Sequence, residues 1–413
     1  MSEVARLPSR KFVFVNRYFD PDQSATSQVL TDLAQGLAKS GLMVHVVCSR
    51  QLYTDASARL TSSEKRSGVI VHRVVTTRFG RSRLIGRAID YASFYISAGF
   101  SLIGLLRSGD VLIAKTDPPL ISLVASMAAH LRGAALVNWQ QDVFPEIASL
   151  LGANPLPQWL DSLLRRLRDS SLRRARMNVL ISNRMLDYFE QRGLSPSQLR
   201  VIENWANANA IAPKSKAASR LRARLEYTDQ FVVCYSGNLG RAHEFNTLLG
   251  AADLLRSDPS VAFLMIGGGA QMELLRRAVI ERKLGNFHFL PYQPREELED
   301  SLAAADVHLI SLLPALEGLI MPSKLYGILA AGRPLIFIGD PVGDIAQVIR
   351  YGECGLSVEV NAHHDLVEAI QRLKSNPGTC AAMGERGRQM LLARYSLDKA
   401  LELWKTVLQV SQD

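Results

Sequence analysis

The chain has 413 residues, 47% hydrophobic and 21% charged, which is a globular composition and too long for one ordinary core, so two domains are expected. The net charge of +9 is uneven: residues 1–205 hold 26 Lys and Arg against 16 Asp and Glu, and the remainder holds 22 against 23. That excess directs the first half toward an anionic ligand or surface, nucleic acid or lipid, while four cysteines without CxxC or zinc spacing argue against structural disulfides and for a reducing compartment.

The first ten residues are too short and polar for a signal peptide. The longest uncharged run, residues 91–106, is 16 residues, short of the ~20 that cross a bilayer. A soluble or peripheral protein is expected. In chain order, residues 12–15 read as a buried strand, followed by a loop over 16–23 and a helix with Val29, Leu33 and Leu37 on one stripe. Residues 44–48 are the next strand, a βαβ opening that predicts a parallel sheet. The loop carries Asp20-Pro21-Asp22, a DxD; its proline and turn setting favour a structural loop over a metal site. No GxGxxG is present there, which disfavours a dinucleotide site.

Residues 50–68 read as a loop and 69–75 as a strand. Arg78, Arg81, Arg83 and Arg87 then cluster ahead of the apolar segment with Tyr91, Phe94, Tyr95 and Phe100. That is the pattern of an interfacial membrane helix, or equally of a core helix behind a solvated basic loop. A second basic run, 165–176, extends such a surface or forms a solvated helix face. Neither run interleaves aromatics as a single-strand-binding groove does, so no nucleic-acid partner is expected. Strands over 111–114 and 136–139 end at Asp117 and Asp142. Ligands of open parallel sheets bind beyond strand carboxyl ends, so either Asp reads as a base or hydroxyl-binding group, or as a helix cap. Residues 206–219 read as an interdomain connection.

The second half restarts the alternation. Strand 231–235 leads into a turn with Gly237, Asn238, Gly240 and Arg241, and strand 262–266 ends in Gly267-Gly268-Gly269. Strand 307–313 precedes EGLIMPSKLYGILAAGRP, residues 317–334. Pro322 is expected at the first position of a helix that Gly332 and Pro334 close. A helix start attracts anions, and Lys324 in its first turn calls for one of its own. That is a phosphate site, or a surface lysine on an ordinary αβ unit. Taken together, the two glycine turns and the Ser323-Lys324 start lie at strand ends of one domain, where they would converge on a diphosphate.

Across nearly its whole length the sequence resembles the family 4 glycosyltransferases of the GT-B fold, closest to the bacterial sugar transferases of colanic acid, O-antigen and capsule assembly. NRYFDPDQSATSQ, TDPP, QDVFPE, YSGNLGRAHEF, MIGGG, FLPYQP and above all MPSKLYGILAAGRP carry the resemblance. It implies an α/β protein of two Rossmann-like domains facing across a cleft: a membrane-facing acceptor domain at 1–205, a linker at 206–219, a nucleotide-sugar domain at 220–390, and a final helix within 391–413 crossing back. It implies a retaining hexosyltransferase without cofactor or metal, moving sugar from a nucleoside-diphosphate donor, UDP by expectation, to a lipid-linked acceptor on the inner face of the cell membrane. Donor contacts fall on Gly237, Asn238, Arg241, Gly268, Tyr292, Glu317, Met321, Ser323 and Lys324, and acceptor contacts on Ser24, Thr26, Asp117 and Asp142. Asp142, Arg241 and Lys324 are the expected catalytic groups.

The sequence also departs from the family pattern. The second Glu of the usual donor stretch falls on Gly327, and Glu317-Gly318 sits two residues early. The usual Arg and Lys after the 231–235 strand fall on Asn238 and His243, and the acceptor-side His falls near Gln141. Two alternatives remain at this level: a nucleotide-sugar epimerase of the same fold, and a non-catalytic scaffold.

Overall fold

The computed structural model describes residues 10–53, 55, 57–80, 84–152 and 157–410. The chain divides into two compact units, Met1–Glu203 with Ala400–Asp413, and Asn204–Lys399. In the first unit, strands β1 (Lys11–Val15), β2 (Met43–Ser49), β3 (Ser63–Arg66), β4 (Val69–Val74), β5 (Val111–Lys115), β6 (Ala135–Trp139), β7 (Met177–Leu180) and β8 (Leu199–Val201) form one sheet, ordered β3-β4-β2-β1-β5-β6-β7-β8. Only β3 runs antiparallel to its neighbour. Strand order reverses between β1 and β5, where Val13 pairs with Leu112. Phe12, Val13, Phe14 and Val15 are all buried, as a central parallel strand covered on both faces requires.

β3 is a correction to the loop expected over 50–68. Its sequence, SEKR, has no apolar alternation, because it is a sheet edge whose charges discourage further pairing. Ser67 and Gly68 both take positive φ, 49° and 87°, the left-handed pair that joins two strands through a two-residue turn.

The apolar segment is also longer than expected. Its helix is Leu84–Leu105 and includes Arg87 and Asp90. Phe94, Ala98 and Leu102 pack into the core with Val13, Val47, Leu112 and Ala125. Asp90 accepts from the backbone N–H groups of Phe79 and Gly80, 3.0 Å each. Arg81 and Arg83 lie outside the described residues.

The basic run 165–176 does not form one free surface. Arg168 is buried and forks onto Glu146 through two 2.8 Å bonds, while its Nε donates to Asp169 at 2.8 Å. Arg192 closes onto Asp169 at 2.7 Å and the Tyr188 hydroxyl donates to Glu146 at 2.5 Å. Arg166, Arg173 and Arg174 remain exposed. Arg168 turns inward to Glu146 of another segment as well as to its neighbour Asp169, which charge counting along the chain does not reveal.

His45 on β2 and His72 on β4 stack with ring planes 3° apart, and His45 Nδ1 lies 2.9 Å from His72 Nε2. That contact needs one donor and one acceptor, so at least one ring is neutral. Burial, then its partner and Lys11, lower His45 to about 4 against the pull of Asp110; burial and Lys11 also lower His72. An unfolded His binds its proton near ~6.5, so stability contributed by a lowered His is present above that pH and lost as pH falls toward the folded value. Thermal unfolding of wild type should therefore lose ground between pH 6.5 and about 4, and His72→Val should flatten that loss.

In the second unit, β9 (Phe231–Asn238), β10 (Val261–Gly268), β11 (Phe287–Leu290), β12 (Val307–Ser311), β13 (Leu335–Ile338) and β14 (Gly355–Val358) form a wholly parallel sheet, ordered β11-β10-β9-β12-β13-β14. The order reverses between β9 and β12, the topological switch point of a doubly wound sheet. Residues 206–219, expected as a connection, belong to this unit. Lys214 pairs with Asp300, Lys216 with Asp306 at 2.6 Å, and Arg388 donates to the carbonyls of Ala208 and Ile211 at 3.0 and 2.8 Å. The helix Leu397–Val410 ends the described chain. Its Trp404 meets Trp139 edge to face at 4.9 Å, both fully buried.

Candidate active site

The second unit gathers its expected donor residues at the carboxyl end of β9. Gly237 pairs in register with Gly267, and Asn238 with Gly268. A Cβ on Gly267 would lie 2.2 Å from the Gly237 carbonyl oxygen, and both glycines hold positive φ, 122° and 128°. No other residue lets the two strand exits approach so closely. The following turn is tied to the exit of β12 by Leu313 N–H donating to the Ala242 carbonyl at 2.9 Å. Thus the two glycine turns do converge.

Lys324 enters this junction from the helix Lys324–Ala330. Its ammonium lies 3.7 Å from the centre of the Tyr235 ring and donates to the Tyr235 hydroxyl, which donates onward to the Asn238 carbonyl at 2.9 Å. Gly237 sits beside its aliphatic stem; a Cβ there would stand 3.6 Å from Lys324 Cε. Burial lowers Lys324 to about 7. His243, where a family lysine was expected, carries no positive charge. Its Nδ1 donates to the Ser311 carbonyl at 2.5 Å, and burial, then the Lys324 charge, lowers it to about 3. Neutral histidine leaves the junction's positive charge to Lys324.

Other expected donor residues are placed less directly. Arg241 is exposed on the turn. Tyr292 is exposed, with its ring edge against Gly268. Met321 and Ser323 precede the helix. Lys324, not Pro322, is its first residue, and the hydroxyl of the N-cap Ser323 caps nothing. The expected helix start is therefore corrected by two residues: Leu325 and Tyr326 N–H bond back to Pro322 and Ser323, three residues away, a tight first turn rather than an α-helical one. Glu317 approaches the helix Asp344–Gly352, accepting from Asp344 N–H at 3.1 Å, and Gly343 leaves room for its carboxylate. Around Gly327 a Cβ would meet nothing within 4 Å.

The first unit brings three of its expected acceptor residues, Asp117, Asp142 and Thr26, together around the carboxyl ends of β5 and β6, whereas Ser24 contacts Asp22. Sequence reasoning missed their centre, Lys115, the last residue of β5. It is only 1% exposed, lies 4.2 Å from the Trp139 ring centre, and donates to the Thr26 carbonyl at 2.6 Å. A lysine ending an otherwise apolar strand beside two aspartates was the available signal. Burial lowers it to about 7, opposed by Asp117 and Asp142. Asp142 is raised to about 6 by burial and by Asp117, with Lys115 opposing. Lys115, Thr116, Gln140 and Asp142 line a cavity of about 10 Å³, room for roughly one water. Asp117 is not a helix cap: Leu120 holds that position ahead of Ile121–Arg132. The Asp117 carbonyl accepts from Arg17 N–H at 2.6 Å.

Asp20 and Asp22 of the DxD serve the loop. Asp20 pairs with Arg66; Asp22 accepts from Ser24 N–H at 2.9 Å and from Tyr53 N–H. Ser24 is the N-cap position of the helix Ala25–Lys39.

The sequence matches two family profiles, "Glycosyl transferase 4-like domain" over residues 24–205 and "Glycosyl transferases group 1" over 218–390. The probable glycosyltransferase WbjE of Pseudomonas aeruginosa is 27% identical over 327 residues, 79% of this chain and 80% of that protein. The putative colanic acid biosynthesis glycosyl transferase WcaI of Escherichia coli K12 is 26% identical over 294 residues, covering 69% and 72%. Among solved structures, Anabaena HepE in complex with UDP-glucose superposes with a TM-score of 0.73 at 15% identity, covering 97% of this chain and 99% of that one. Two doubly wound units, glycine strand exits beside Lys324, and matches across both halves make the chain a glycosyltransferase of family 4 with the GT-B fold.

Proposed function

We propose that the enzyme moves a hexosyl group from a UDP-sugar to a lipid-linked acceptor in the assembly of a bacterial surface polysaccharide, on the cytoplasmic side of the membrane and with retention at the anomeric carbon. The observation that carries this reading is the Lys324 ammonium at the Gly237–Gly267 junction, beside a His243 that burial keeps neutral. Retaining sugar transfer builds negative charge on a departing diphosphate. Glycine exits allow backbone N–H groups close to it, and Lys324 supplies the countercharge. Tyr292, exposed at the rim, offers a ring on which a base can stack. UDP as the nucleotide draws support from the HepE complex, and polysaccharide assembly from the relative WcaI.

On the acceptor side, Asp142 is the base or hydroxyl-orienting group, with Asp117 near enough to raise it and Lys115 reaching across to the Thr26 carbonyl. Departure of the diphosphate uses no metal in this reading, since Asp20 and Asp22 are committed to Arg66 and to the loop; added chelator should leave the rate unchanged.

A thermal-shift screen of UDP, GDP, ADP and dTDP, free and as sugar conjugates, tests the donor. A ligand at 100 times its Kd stabilises by ~2.7 kcal/mol. A UDP-selective shift that Lys324→Ala abolishes is the expected result. A shift that survives the substitution, or a preference for another nucleotide, overturns the assignment.

A further inference from the structure

The segment 140–146, QQDVFPE, leaves β6 and carries Asp142 toward the helix Glu146–Leu150. A reacting group on a connecting segment needs its backbone held by rigid elements. Ahead of Asp142 the sheet provides the hold. Gln140 N–H donates to the Val179 carbonyl at 2.8 Å, and Gln141 N–H to the Thr116 hydroxyl at 3.2 Å. Beyond Asp142 the hold comes from Arg168, on the helix Gln158–Arg174. Its Nη1 donates to the Phe144 carbonyl at 2.8 Å, and Nη1 and Nη2 fork onto the Glu146 carboxylate. One guanidinium thus grips the backbone two residues past Asp142 and a side chain four residues past it.

Stability alone does not call for this pair. Arg168 and Glu146 are 2% and 3% exposed. Taking two charges out of water is costly, and apolar side chains of similar volume often stabilise a core as well or better. What the pair adds is direction. The guanidinium is planar, and its bonds leave it no freedom to turn. Its Nε donates to Asp169 at 2.8 Å, and Arg192 holds Asp169 in turn at 2.7 Å. Glu146 also accepts from Arg165 at 3.1 Å and from the Tyr188 hydroxyl at 2.5 Å. Arg168 and Asp142 line the same cavity of about 10 Å³, with Lys115, Thr116 and Gln140. The charges that face Asp142 are Asp117 and Lys115. Arg168 reaches it through the backbone instead.

We propose that Arg168, locked onto Glu146, is a positioning residue for sugar transfer: it fixes the 140–146 segment so that the Asp142 carboxylate meets the acceptor hydroxyl. This role rests on the reading of Asp142 as the acceptor-side group and extends it to two side chains that touch no substrate.

Arg168→Lys keeps the charge but cannot fork, and Glu146→Gln keeps the shape but removes the carboxylate. Each should lower kcat for transfer by about 10- to 100-fold, since a misplacement of about 1 Å costs roughly 10²-fold. Each should leave the UDP thermal shift at its wild-type size. The pH–rate profile separates positioning from simple destabilisation. Burial, then Asp117, raises Asp142 to about 6. A loosened segment admits water, so the rising limb should move to lower pH, opposite to the shift expected of Lys115→Met. Tyr188→Phe, which removes one bond to Glu146 but leaves the fork, should keep the rate and limb of wild type. A variant without a cooperative thermal melt is set aside and the other is read. A folded Arg168→Lys or Glu146→Gln whose limb stays in place overturns the positioning role, whatever its rate. So does an equal shift in Tyr188→Phe, which would make the effect general loosening. Asp142→Asn measured alongside tells the two failures apart. If it is impaired while the limb of Arg168→Lys is unmoved, the positioning role alone falls. If it transfers like wild type, the Asp142 reading falls and takes the positioning role with it.

Discussion

Lys324→Ala is expected to lower kcat/KM by two to three orders of magnitude. A donor aimed at developing transition-state charge is typically worth ~2.7–4 kcal/mol, and each 1.36 kcal/mol is about tenfold. The residue's neighbours give the effect its direction. Tyr235 and Gly237 hold the ammonium at the strand exits, and His243 donates its proton to a carbonyl instead of offering charge. Burial lowers the free amine to about 7, and a bound diphosphate favours the charged form. Above that pH the amine must first take up a proton, so UDP affinity should fall about tenfold per pH unit above about 7. Calorimetry at pH 8 in buffers of different ionisation enthalpy should record that uptake, and Lys324→Ala should remove it. Turnover within a few-fold of wild type would remove Lys324 from the mechanism.

Asp142→Asn should lower transfer by about 10²- to 10⁴-fold, the usual range for a lost general base, while donor binding stays intact. Transfer needs the carboxylate. Burial and Asp117 raise Asp142 to about 6, so the rate of wild type should climb with pH through that value. The substitution should erase this limb. Lys115→Met, which removes the opposing charge, should move the limb to higher pH. A pH–rate profile of all three proteins reads both effects. An unshifted limb in Lys115→Met would separate Lys115 from Asp142, and an unimpaired Asp142→Asn would place the base elsewhere.

Much of the fold was legible along the chain. The apolar runs at 12–15, 111–114 and 231–235 each became a strand, because a parallel strand covered on both faces leaves an uninterrupted apolar signature, and the run at 307–313 became one as far as Ser311. β3 left none, being a charged edge. Of the site, the glycine turns and Lys324 could be read from strand exits and a helix start. Lys115 could not, since a lysine ending a strand looks the same whether it meets water or Thr26 and Trp139. Arg168 was counted with a solvated basic run although it serves Glu146 and Asp169 in the interior.

The sequence by itself determined two αβ units, where their strands run, and which glycines and cations stand at strand ends. These features are encoded by residues adjacent in the chain, through side-chain periodicity and backbone freedom. Only the tertiary structure decided which of those ends meet. Tyr235 and Lys324 are 89 residues apart, as are Thr26 and Lys115, and strand order and register bring each pair together. The same packing turned one stripe of Leu84–Leu105 into the core and left the other exposed. Burial needs a neighbour, and an apolar residue does not specify its neighbour until the layers have assembled.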